Sequence, residues 1–184
     1  MRRLFARETA APEGVVEAAA LGGEKVLAAT AARDGTWLLA TRRALVLVRE
    51  VEPHPLAEPV ENRITTIPWQ QVESADWSRD DDRLRVSEVG EYGERRPVHE
   101  LVLDDPGKLL PMVRERVTAS VVLQRRVTVR GTQGLSVVAR RAPNGDGAIT
   151  WAYELDAGLD PDDPEVRHLA ELGLRAAAEE LGLT

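Results

Sequence analysis

Through most of this chain apolar and polar side chains alternate with a period of two, and in two stretches the rhythm lengthens to that of a helix. A short helical or irregular piece, GVVEAAAL, stops at Gly22 and Gly23, and EKVLAATA then predicts a first strand. The run GTWLLATRRALVLVRE holds two β-rich segments, Trp37 to Thr41 and Ala44 to Arg49. They predict a hairpin reversing at Arg42 and Arg43, although no glycine stands there. Three prolines in EPHPLAEPVEN remove backbone donors and predict a loop over 52–62. RITTIPW and QQVESADWS follow as two strands, or as one bent at Pro68. In RLRVSEV, Leu84 and Val86 point one way and Arg83, Arg85 and Ser87 the other, as in a half-buried strand. The acidic turn SRDDD precedes it, the turn GEYGERRP follows, and VHELVL forms another strand with His99, Leu101 and Leu103 on one side.

Beyond Leu103 the period changes. Leu109, Val113, Val117 and Val121 recur every four residues, which predicts an amphipathic helix of about fourteen residues, long enough to cover one open end of a sheet. Asp105 is the expected N-cap with Pro106 at the first helical position, and Pro111 delays the regular helix to about Leu110. The period then returns to two in RRVTVRG, LSVVARR and AITWAYELD, the last two joined by APNGDG, where Asn144-Gly145 is the strongest hairpin signal in the chain. A terminal helix is marked by Asp163 as cap, Pro164 and Glu165 in the first turn, and apolar Val166, Leu169, Ala170, Ala177 and Leu181.

The 184 residues suffice for one core with an appendage. Aromatic residues make up only 4% of the chain, so the core is aliphatic, and Trp37, Trp69, Trp77 and Trp151 are its bulkiest pieces. The absence of cysteine excludes a disulfide, a thiolate metal site and a thiol nucleophile. MRRLFARETAAPEG lacks the apolar run of about 7 to 15 residues that a secretory signal needs, and no stretch approaches the roughly 18 apolar residues of a membrane span, so a soluble, cytoplasmic protein is expected. The net charge of −7 conceals a strong segregation: +3 over 1–49, −9 over 50–106, +7 over 107–141 and −8 over 142–184. A net acidic chain attracts nucleic acid poorly, so none is expected as partner. The basic block carries Arg114, Arg116, Arg125, Arg126, Arg130, Arg140 and Arg141, and is either answered by the acidic C-terminal block or left as an anion-binding surface.

The strand GEKVLAAT, the hairpin WLLATRRALVLV, the segment ITTIPWQQVESADW and the closing helix PMVRERVTASVV occur in one order between Gly23 and about Gln124. In that order they resemble the bacterial pleckstrin-homology-like domains. The run VRERVTASVV followed by VVARR and an acidic C-terminal helix is similar to a family of actinobacterial proteins. The resemblance covers rather more than half the chain and implies an α+β, mainly β fold: a seven-stranded bent barrel closed by a helix, of a kind that binds proteins, peptides or lipid headgroups. The expected organisation is an N-terminal segment over 1–22, the barrel and its helix over 23–124, and a hairpin with a terminal helix over 125–184, packed on the barrel. Lipid-binding members use a basic pocket in the first hairpin loop, whereas the turn between Ala31 and Thr36 offers Arg33 beside Asp34, which speaks against phosphoinositide recognition.

Catalytic chemistry finds little purchase. His54, His99 and His168 fall in a loop, a strand and a helix without metal-ligand spacing. Asp80 to Asp82 and the trio Asp160, Asp162 and Asp163 lack the alternation and distal glutamate of a calcium loop. GTQGLS and NGDG match no phosphate cradle, and Ser74, Ser87, Ser120 and Ser136 stand in no nucleophile elbow. The expectation is a binding or assembly module that is not an enzyme, needs no cofactor or metal, and recognises a protein or peptide or a second copy of itself. The alternative is a peripheral anion or lipid-headgroup binder using 107–141. The contact residues expected are Arg42, Arg43, Arg114, Arg116, Arg125 and Arg126.

Overall fold

The computed structural model describes residues 10–19, 23–49, 63–145 and 147–183. The segment 52–62, expected to be a loop and holding His54, lies outside them. Three antiparallel sheets and three α-helices form, so the class is α+β and mainly β. After α1 (Glu13–Ala18), the strands β1 (Ala28–Ala31), β2 (Thr36–Ala40), β3 (Ala44–Arg49) and β4 (Arg63–Pro68) pair in sequence order. A 3₁₀ turn, Trp69–Gln71, leads into β5 (Val72–Ser78), β6 (Arg83–Glu88) and β7 (Val98–Val102), which form the second sheet.

The inner faces of these two sheets share one core. Leu38, Leu45, Leu47 and Ile67 meet Val72, Leu84, Val86, Leu101 and Leu103 there, and α2 (Leu109–Ser120) inserts Leu109 and Val113. The largest fully buried side chain is Trp69, whose indole N–H donates to the Thr41 carbonyl at 3.1 Å. The opposite face of the first sheet, with Leu39, Val46 and Val48, is covered by Val15 and Ala19 of the α1 segment, which explains why ALVLV is apolar at every position. Among the described residues no sheet is continuous around the seven strands. A single bridge, Ala32 to Leu103, ties the β1 side to the β7 side, and the expected closed barrel is not seen.

The hairpin between β2 and β3 needs no glycine because Thr41 holds the turn. Its buried hydroxyl accepts from the N–H groups of Arg43 (3.2 Å) and Ala44 (3.0 Å) and donates to the Ala44 carbonyl (3.0 Å). The start of α2 differs from expectation. Asp105 accepts from the Gly107 N–H at 2.9 Å inside a turn, the N-cap position falls to Lys108, and Pro111 stands in the first helical turn, where its missing N–H would be unbonded in any case. The helix also ends earlier, at Ser120, because Val121 already pairs with Arg140 in a strand.

With no linker, α2 runs into β8 (Val121–Arg130), which pairs with β9 (Gln133–Arg140) and through it with β10 (Thr150–Leu155). Asn144-Gly145 does turn the chain, with Gly145 at φ +83°, but inside a long connection rather than a two-residue hairpin. The terminal helix α3 (Pro164–Glu180) is capped as expected by Asp163, which accepts from the Glu165 N–H at 2.9 Å. It packs Val166, Ala170 and Ala177 on Leu135 and Val137. Gly173 lets the helix approach this closely, since a Cβ there would lie 2.7 Å from Val127 Cγ2 and 3.1 Å from Val137 Cγ2.

Two substitutions check these contacts by urea unfolding. Thr41→Val keeps the shape but leaves the Ala44 N–H without an acceptor and the Arg43 N–H with Glu24 alone, and is expected to cost about 1–3 kcal/mol. Gly173→Val drives branched carbon into two stiff valines, and is expected to cost about 1–3 kcal/mol through overpacking.

Candidate functional site

In the third sheet β9 is central and buried along nearly its whole length, so the sheet's two outer strands decide what it can offer. The free edge of β10 is sealed by the chain itself. The Arg96 guanidinium donates to the Tyr153 carbonyl, and the Tyr92 ring stands edge-on to Tyr153 at 5.1 Å. The free edge of β8 has no strand beside it among the described residues, and β8 is the longest strand of the fold at 10 residues. Such an edge presents a row of backbone donors and acceptors to solvent.

Helix α3 packs along both β8 and β9, with Gly173 against Val127 and Val137. Glu171 lies toward Tyr153 of β10 and, by helical geometry, Glu165 and Glu180 lie toward β8, while Leu172, about 130° around the helix from the buried stripe, points to solvent. The ion pairs agree with this placement. At one end Arg130 meets Asp163 (2.7 Å) and Glu165 (2.9 Å), and at the other Arg125 meets Glu180 (3.2 Å). Between the two charged ends Leu172 is 43% exposed, and beyond them Val122 at the start of β8 is equally open. The result is a ledge: a strand edge with no neighbour among the described residues, beside a helix that exposes one leucine, with exposed opposite charges at each end.

The six arginines expected to make contacts do not form one surface. Arg42 and Arg43 are exposed at the β2–β3 turn, where the Trp69 N–H donates to the Arg43 carbonyl at 3.1 Å. On α2, Arg114 is exposed and Arg116 half-buried with its Nε unpartnered. The other two lie on β8. Arg126 reaches across β9 to Asp156, a path open only because Gly134 has no side chain: a Cβ there would lie 2.2 Å from the Val127 carbonyl oxygen and 3.2 Å from Arg126 Nε. The hydrogen bond from Arg126, together with one from the Gly134 N–H at 2.9 Å, holds the Asp156 carboxyl below its usual range. Arg125, Arg126 and Arg130 are thus met by acidic groups of the C-terminal block.

A second cluster was not singled out by the sequence pattern because its members are far apart in the chain. Glu73 on β5 is 8% exposed and Arg140 on β9 is 3% exposed. Arg140 donates to the Glu73 backbone carbonyl (2.8 Å), to Ser120 Oγ (3.0 Å) and to the Val117 carbonyl (3.4 Å), which sets its positive charge at the C-terminal end of α2, where helix carbonyls lack partners. The Glu73 carboxylate pairs with Arg96 at 2.5 Å. Burial pushes the Glu73 carboxyl up, against the pull of Arg96, and pushes the Arg140 guanidinium down.

Between the first two sheets lies a cavity of about 220 Å³ lined by Thr36, Leu47, Arg49, Thr65, His99, Glu100 and Leu101. Arg49, Thr36, His99 and Glu100 are engaged with neighbours: Arg49 Nε donates to Thr36 Oγ1 (3.3 Å), His99 Nε2 lies 2.6 Å from Glu88 Oε1, and Arg83 meets Glu100 (2.7 Å). Among the described residues no group of three or more His, Asp or Glu side chains is placed to hold a metal ion, and no helix is long and apolar enough to cross a membrane. Compared with family models, curated proteins and solved structures, the chain matches none.

The raised carboxyl of Glu73 has a measurable sign. A carboxyl that holds its proton more tightly in the folded state adds stability below its ordinary range and loses that contribution as pH rises through its raised value. The unfolding free energy of the wild type minus that of Glu73→Gln is therefore expected to increase as pH falls from neutral to below the carboxyl range. A difference independent of pH in denaturant titrations would contradict this account.

Proposed function

We propose that the protein is a non-catalytic binding and assembly module that recognises a protein segment in extended conformation by adding it as a strand to the free edge of β8, beside α3. The observation that carries this reading is a ten-residue strand edge with no neighbour among the described residues, flanked by a helix that exposes a leucine. Strand addition supplies main-chain hydrogen bonds for affinity, and the side chains that point toward α3 supply selectivity. A pleckstrin-homology-like scaffold is supported by the four-stranded and three-stranded antiparallel sheets that share one core with α2. The cysteine-free composition suits a reducing cytoplasm.

The deeply buried charges, Glu73 and Arg140, tie elements together rather than converge on a cavity, which favours a binding role over catalysis. An anion-binding surface on 107–141 receives less support, because Arg125, Arg126 and Arg130 already hold carboxylates of the same chain.

Selection of a displayed random-peptide library on nanomolar wild-type protein tests the reading. Peptides with alternating apolar residues are expected to be enriched, and to lose at least about tenfold in affinity on Leu172→Lys, a change at an exposed helical position. Enrichment of nothing, or of peptides indifferent to the substitution, would overturn it.

A further inference from the structure

We infer that the extended segment fitted to the β8 edge is β8 of a second copy of this chain, the two strands running antiparallel about a two-fold axis through Val127. The inference rests on the strand-edge reading above and names the occupant.

Symmetry limits the register. A two-fold axis normal to the sheet keeps each side chain on its own face, so the strands must be centred on a residue rather than between two. Centring on Val127 places that residue below the middle of α3, because a Cβ on Gly173 would lie 2.7 Å from Val127 Cγ2. The same axis puts the partner's α3 on the same face of the joined sheet, and Leu172, 43% exposed next to Gly173, is the large apolar side chain α3 offers it.

The charges make the same choice. Each copy carries Arg125 with Glu180 at one end of the ledge and Arg130 with Glu165 at the other. Antiparallel association brings the Arg125 end of one copy against the Arg130 end of its partner, so each arginine finds a second carboxylate and each glutamate a second arginine. Arg126, which would be repelled by its own mate under a register centred one residue earlier, falls opposite Thr128 instead and is drawn back toward Asp156. A foreign peptide would use the same edge, whereas a second copy brings an arginine and a carboxylate to both charged ends at once.

Sedimentation equilibrium of the full chain, from nanomolar to sub-millimolar concentration, tests this together with two charge-reversed pairs. The wild type is expected to form a concentration-dependent dimer, and Leu172→Lys to remain monomeric with an unchanged thermal unfolding midpoint. The acidic double variant Arg125→Glu/Arg130→Glu and the basic double variant Glu165→Lys/Glu180→Lys are each expected to self-associate about tenfold more weakly than the wild type, yet to form a one-to-one heterodimer when mixed. The inference is overturned by a wild type that stays monomeric throughout, by a dimer indifferent to Leu172→Lys, or by folded double variants that fail to combine. If the library peptides bind while the chain stays monomeric, strand recognition stands and only the second-copy occupant falls.

Discussion

The arrangement of the C-terminal third depends on one buried cation. A guanidinium that gives up water must recover hydrogen bonds from the protein, and Arg140 takes them from two elements at once: the end of α2, through the Val117 carbonyl and the Ser120 hydroxyl, and the backbone of β5. Because the donor fork of arginine is planar and rigid, satisfying it fixes the third sheet relative to the second in both distance and rotation. The cluster under α3 and the cluster between the first two sheets share no member, so the contacts of Arg140 join that of Arg96 with the Tyr153 carbonyl and that of the Tyr92 ring with Tyr153 in relating them.

Those cores are aliphatic, and one tryptophan does most of the bulky filling. Trp69 sits at the corner where the chain passes from the first sheet to the second, and its indole N–H returns to the carbonyl of Thr41, the residue that makes the β2–β3 turn. A single small hydroxyl and a single large ring thereby connect the tightest reversal in the first sheet to the passage between sheets. Among the described residues one β-bridge, Ala32 to Leu103, ties the two sheets of these seven strands, and a cavity lies between their facing sides.

Most of the secondary structure was legible in the alternation of side chains, because a strand with one buried face leaves its mark in every second residue. The class, the single helix between strands and the Asp163 cap all follow from such local signals. Where sequence and structure part, a distant partner decides. The four-residue rhythm of α2 continues through Val121, but pairing with Arg140 claims that residue for β8. Asp105 has the chemistry of a helix cap and spends it on a turn around Gly107. At the candidate site the arginines of the basic block could be counted, and their acidic partners lay in the block of opposite sign. What could not be foreseen was that Gly134 and Gly173, unremarkable in the text of the chain, set how far Arg126 can reach and how near α3 can lie.

The direct junction of Ser120 with Val121 has an evolutionary corollary. A helix that passes into a strand without any slack couples the phase of one to the phase of the other, so inserting or deleting one residue there would exchange the two faces of β8 and turn Val127 away from α3. Length variation in descendants of this chain should therefore accumulate in the connection between β9 and β10, which lies outside both strands, while the helix-to-strand joint keeps a constant count.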